Sequence, residues 1–123
     1  MNIDRRYVRN VLSIVNVLYI QRRCNELATD ILSIRPADII CIIDIGIQCD
    51  IYHDIRNSII QQRHILTYDH LDNSHLESRI NRILLRLNTC RSLLLSVLDD
   101  VVVLHPTDEM FNEVMSLKEY IHI

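Results

Sequence analysis

Between Ile80 and Leu104 the apolar residues Ile80, Ile83, Leu87, Cys90, Leu94, Val97, Val101 and Leu104 step by 3, 4, 3, 4, 3, 4, 3. That spacing places them on one face of an α-helix, as alternating a and d positions of a heptad. Leu76, Leu84, Leu93 and Leu98 broaden the face, so this helix is expected to pack on more than one side. Ser74 with Glu77 makes a capping-box pattern at its start, and His105-Pro106 ends it. One long helix near residues 75–104 is the expected organising element.

The first segment reads similarly. Asp4 is a candidate N-cap, and Tyr7, Val8, Val11, Leu12, Val15, Leu18 and Tyr19 repeat at three and four, giving an apolar stripe that continues weakly through Leu27, Ile31 and Ile34. Pro36 forces a boundary, so helix 1 is expected over 4–33, with a bend near Cys24-Asn25. At the other end of the chain, Thr107 caps a last helix with Asp108 and Glu109 in its first turn; Phe111, Val114, Met115, Leu117, Tyr120 and Ile121 are its expected inner face.

Residues 36–66 support two readings. Pro36 and Asp38 suit a helix start, and Ile40, Ile43, Ile47, Ile51, Ile55 and Ile59 form a helical stripe. Yet Ile43, Ile45, Ile47, Cys49 and Ile51 also alternate with Asp44, Gly46, Gln48 and Asp50, as in a strand. A strand here would have to pair with another copy or another protein, so helix is the preferred reading. Gly46 would then end one helix and Asp50 would cap the next, running to about Leu66. Residues 67–73 read as a loop. The expectation is one all-α domain over 1–123, a helical bundle of four to five helices.

Composition sharpens this. One Gly and two Pro leave little for tight turns, which disfavours β-rich folds and excludes phosphate-cradling glycine loops. The net charge of −3 gives no electrostatic reason to expect nucleic acid as a direct ligand, and aromatics for base stacking are scarce. No apolar run reaches the roughly 18 residues of a membrane span. No signal-peptide pattern opens the chain, and Cys24, Cys41, Cys49 and Cys90 read as reduced buried thiols, so an intracellular, reducing compartment is expected.

The cysteines lack the short paired spacing of structural zinc, and His70 and His75 are ordinary loop histidines, so no metal and no cofactor is expected. Cys49 and His53, at i and i+4, are the one local thiol–imidazole pair, but a nucleophile also needs a cleft and an oxyanion hole. Asp99-Asp100, Asp69 and Asp72 read as a polar helix face and loop capping. The expectation is a protein that is not an enzyme. Arg outnumbers Lys twelve to one, and Arg79, Arg82 and Arg86 follow helical spacing opposite the Ile80–Leu87 stripe. They form either a solvated face or a fork-shaped contact for an acidic partner.

The supply of apolar stripes exceeds what a bundle of 123 residues can bury, and exposed apolar patches mark partner interfaces. Because the 80–104 seam should be claimed by the domain's own core, the expected protein-binding residues are Val8, Val15, Ile40, Ile43, Ile47, Ile51 and Ile55, with Arg79, Arg82 and Arg86. The stretches Asn2-Ile3-Asp4-Arg5-Arg6-Tyr7 and Cys49-Asp50-Ile51-Tyr52-His53-Asp54, and the whole chain in its composition, resemble small nucleocapsid-associated proteins of baculoviruses. That resemblance implies a virion component that assembles with other capsid proteins and acts in the host nucleus, and carries over no site residue. The alternative is a viral death-suppressor bundle resembling the Bcl-2 family, holding a partner helix in an apolar groove. Against it, the chain is short and, having no Trp, lacks the Asn-Trp-Gly-Arg motif of the cellular members.

Overall fold

The computed structural model describes residues 5–68 and 74–122, with the side chains of Arg6, Thr67, Tyr68 and Ser74 excepted. The described chain forms four α-helices: α1 (Arg5–Leu32), α2 (Cys41–Tyr68), α3 (Ser74–Leu104) and α4 (Asp108–His122). The expected all-α bundle, with its longest helix where the heptad pattern lies, is the fold. The Asp4 N-cap, the Ser74 half of the capping box and most of the 67–73 loop lie outside the described residues, except that α2 continues through Tyr68.

Side-chain contacts set the topology. Arg23 Nη2 meets Asp54 Oδ2 at 3.4 Å and Arg79 Nη1 donates to Gln21 Oε1 at 3.0 Å, so α1 runs against α2 and alongside α3. Lys118 pairs with Asp99, and Arg91 Nη2 lies 3.2 Å from His122 Nδ1, which sets α4 antiparallel to α3. Helices α1, α2 and α3 all touch one another, whereas α4 touches α2 and α3 but not α1. The bundle is thus up-down-up-down, with a half-length fourth helix on the side away from α1.

Two connections meet at one end. His105 Nε2–H donates to the Pro36 carbonyl at 2.9 Å, joining the α3–α4 linker to the α1–α2 turn. The same carbonyl accepts the Cys41 thiol at 3.8 Å. Pro36 therefore does not start α2. Its carbonyl is already engaged, residues 36–40 form turns closed by Cys41 N–H to Asp38 O at 3.0 Å, and the helix begins at Cys41. At α4 the expected cap forms, with Met110 N–H donating to Thr107 Oγ1 at 3.2 Å.

Neither the strand nor a break at Gly46 occurs; α2 is one helix through both Gly46 and Asp50. Cys41, Ile45, Cys49, Tyr52, Ile55 and Ile59 are all buried, and only an unbroken helix keeps them on one face. Burying that face outweighs the roughly 1 kcal/mol that glycine costs inside a helix. Helix α1 is one continuous element over Arg5–Leu32. In α3 the buried set is Leu76, Ile80, Ile83, Leu87, Cys90, Leu94, Leu98 and Val101. Leu98 replaces Val97 and Leu104 is exposed, because a straight helix of 3.6 residues per turn drifts off a 3.5-residue seam. In α4 Met110, Val114 and Ile121 are buried and Leu117 and Tyr120 pack half-buried on the core, while Phe111 and Met115 are exposed.

Candidate interaction surfaces

The orientation of α1 decides where its apolar surplus goes. From Ile20 onward the helix has one apolar face, Ile20, Cys24, Leu27 and Ile31, which is buried against α2 and α3. A helix is stiff, so this face fixes the rotation of the whole element. Extended backwards it gives Val17 and Ser13, both buried, with half-buried Asn10 flanking. The stripe of Tyr7, Val8, Val11, Leu12, Val15, Leu18 and Tyr19, together with Ile14, falls on the other side and is 40–67% exposed. The outward face changes character after Tyr19, where Arg22, Glu26 and Asp30 take over and Arg22 pairs with Glu26 at 3.3 Å. The first half of α1 therefore turns its more apolar side away from its own domain, the reverse of an ordinary amphipathic helix.

A second apolar surface lies at the start of α2. Ile39, Ile40, Ile43 and Ile47 are exposed by half or more. The stripe expected to run on to Ile59 has its members beyond Ile43 four apart, and each such step rotates about 40° around the axis. The stripe thus turns from solvent into the core. Ile51 is half-buried and packs on the core, and Ile55, 1% exposed, belongs to the domain's own interior. Ile55 is a core residue and leaves the set of expected surface contacts; Val8, Val15, Ile40, Ile43 and Ile47 lie at the surface.

The arginines sit at an edge rather than opposite the buried stripe. Arg79 is tied to Gln21, and Arg86 donates to Asn25 Oδ1, so both line the α1–α3 seam with exposed Arg82 between them. Together with Gln21, Cys24 and Ile83 they line a small recess of about 110 Å³. Two of the three guanidinium groups thus have amide partners within the chain, which reduces what they offer an acidic partner.

The thiol chemistry is placed equally clearly. All four cysteines are free and buried. Burial, with Asp50 nearby, pushes the Cys49 thiol up to about 12, the wrong direction for a nucleophile. His53 Nε2–H donates to the Tyr120 carbonyl at 2.6 Å, and the two rings lie 4.4 Å apart. Cys49 and His53 therefore do not form an activated pair; His53 docks α4. Tyr120 adds a hydroxyl hydrogen bond to Asp50 Oδ1 at 2.6 Å, which, with the carboxylate's charge, raises its phenol above the usual value. Among the described residues no group of three or more His, Cys, Asp or Glu is placed to hold a metal ion. No described helix is long and apolar enough to cross a membrane.

Sequence reading missed Ile14 and Leu32 as surface apolar residues and Leu85 and Val103 on α3. Their signal was present as apolar positions off the main stripes. The chain matches no protein-family profile, no curated protein and no solved structure.

Proposed function

We propose that this chain is a non-enzymatic assembly subunit that binds other proteins through exposed apolar helix faces. The observation that carries the reading is the outward apolar face of α1 between Tyr7 and Tyr19. Eight large apolar side chains over about 18 Å of helix exceed the scattered exposed residues of a free-standing monomer. The isoleucines at the start of α2 provide a second such face. The resemblance to small nucleocapsid-associated proteins of baculoviruses suggests the setting, a virion component acting in a reducing host nucleus. The Bcl-2-like alternative has less support, since the groove left beyond α4 contains Arg56, Arg63 and Asn88 among its lining, and its aliphatic residues Ile60 and Leu84 are already half-buried.

Sedimentation velocity tests the reading. The wild-type chain in reductant should form species heavier than 14.5 kDa, or precipitate, as concentration rises. The double variant Val15→Asp, Ile47→Asp should be monomeric and soluble with unchanged helical circular dichroism. A wild type that is monomeric up to roughly 0.5 mM, well above the micromolar range of weak specific complexes, would refute it. The virion setting is tested separately, by mass spectrometry of nucleocapsids stripped with detergent; loss of the chain with the envelope fraction would remove it.

A further inference from the structure

The outward face of α1 reads nearly the same in both directions. About Ser13, Tyr7 mirrors Tyr19, Val8 mirrors Leu18, Val11 mirrors Val15 and Leu12 mirrors Ile14. Even the flanking Asn10 and Asn16 correspond. A two-fold interface is made of one patch meeting itself, so each residue at i must suit the residue at j on the other copy. A helix face symmetric in residue type about its midpoint meets that requirement when two copies cross antiparallel, with position i level with position 26 − i. We propose that the partner of this face is a second copy of the chain, and that two α1 helices pair antiparallel about Ser13. This deepens the assembly reading and rests on it.

Three further observations favour this occupant. Val8, Val11, Val15 and Leu18 are spaced 3, 4, 3, an a–d–a–d seam, and antiparallel coiled coils set a opposite d. The layers would be Val8 with Leu18 and Val11 with Val15, each occurring twice. Tyr7, Leu12, Ile14 and Tyr19 hold the flanking e and g positions and widen the contact. Area is the second consideration. From their exposures, and about 150–250 Å² for a whole aromatic side chain, these residues present roughly 600–700 Å² per copy. Doubled, that reaches the lower end of the 1,200–2,000 Å² of standard interfaces. Third, the face lies on the side of α1 away from α2 and α3, so the two domains sit on opposite sides of the helix pair and do not collide. An in-register parallel pair would align two helix dipoles, which is unfavourable, and would leave the match about Ser13 unused.

Cysteine cross-linking tests the pairing, because the four native thiols are buried and leave introduced ones to react alone. Val8→Cys and Leu18→Cys are made separately and oxidised singly and mixed. Antiparallel pairing predicts a covalent dimer only in the mixture, since Val8 is level with Leu18 of the other copy and about 15 Å along the axis from its own counterpart. Val15→Asp should weaken the dimer at least about tenfold, because the interface would bury an unpaired carboxylate from each copy. Cross-linking of either variant alone would overturn the antiparallel arrangement. An uncross-linked chain that still weighs twice 14.5 kDa associates through another face, which overturns this inference but leaves the assembly reading standing. An uncross-linked, soluble monomer overturns the second copy as occupant; if it stays monomeric at all concentrations, the assembly reading falls as well.

Discussion

Replacing Gly46 with alanine isolates the question on which the sequence was ambiguous. Gly46 sits in the sixth position of α2, and a Cβ built there meets nothing within 4 Å. Alanine therefore adds no clash, and its backbone remains in the helical region. Glycine inside a helix costs roughly 0.5–1 kcal/mol relative to alanine, mainly through the freedom it retains when unfolded. Gly46→Ala should thus stabilise the protein by about that amount. For a domain between the size classes in which 1 kcal/mol moves Tm by about 4–8 °C and 2–4 °C, the expected rise is roughly 2–5 °C. The assay is thermal and urea unfolding followed by circular dichroism at 222 nm, at low protein concentration and in reductant. The urea midpoint should rise with the slope unchanged. If Gly46 instead ended a helix in a left-handed conformation, alanine would be strained there and the midpoint would fall by a similar amount. A fall would refute the continuous helix and reopen the strand or the two-helix reading.

Other substitutions separate core from surface. Leu98→Ala should cost about 2–4 kcal/mol and Val97→Ala distinctly less, since Leu98 is fully buried and Val97 half-buried; equal losses in urea unfolding would restore the strict heptad. Thr107→Ala should cost about 1 kcal/mol by removing the Oγ1 acceptor that caps α4, and an unchanged midpoint would show the cap to be idle. The Cys49 thiol stays protonated in the fold until about pH 12, whereas the unfolded thiol ionises near 9. The unfolded chain therefore holds fewer protons between those values, so stability should be flat up to about pH 8.5 and fall as pH rises beyond 9. Raised values for Cys41 and Tyr120 act in the same direction. Equal urea midpoints at pH 7.5 and 10 would contradict the burial of Cys49 and Cys41 and the Tyr120–Asp50 hydrogen bond.

The parts of the fold legible in the sequence were those with a single physical signal. α3 has one dominant apolar face, and α4 has Pro106 before it and Thr107 to cap it, so both could be bounded closely. α2 carried two signals, and the alternation of Ile43, Ile45 and Ile47 reflects only that Ile45 points inward and its neighbours outward. Gly46 suggested an end because propensity is local, whereas the burial of Cys41, Ile45, Cys49 and Tyr52 that overrides it is tertiary. Pro36 misled for the same reason: the imidazole that engages its carbonyl comes from His105, far along the chain. The candidate surface was half legible. The sequence shows an apolar stripe over residues 7–19. Which side faces out depends on the rotation imposed by Ile20, Cys24, Leu27 and Ile31 once they pack, and periodicity alone cannot supply that.

If the outer face of α1 is made for association, it is open to solvent in the lone chain and covered only when chains meet. Hydrogen–deuterium exchange over a dilution series, read by mass spectrometry on peptides from residues 5–19 and 80–101, tests it directly. Protection of 5–19 should rise with protein concentration while that of 80–101 is high throughout. Protection of 5–19 that equals that of 80–101 at the lowest concentration, and does not change with dilution, would show that this face is already buried within one chain and is no association surface.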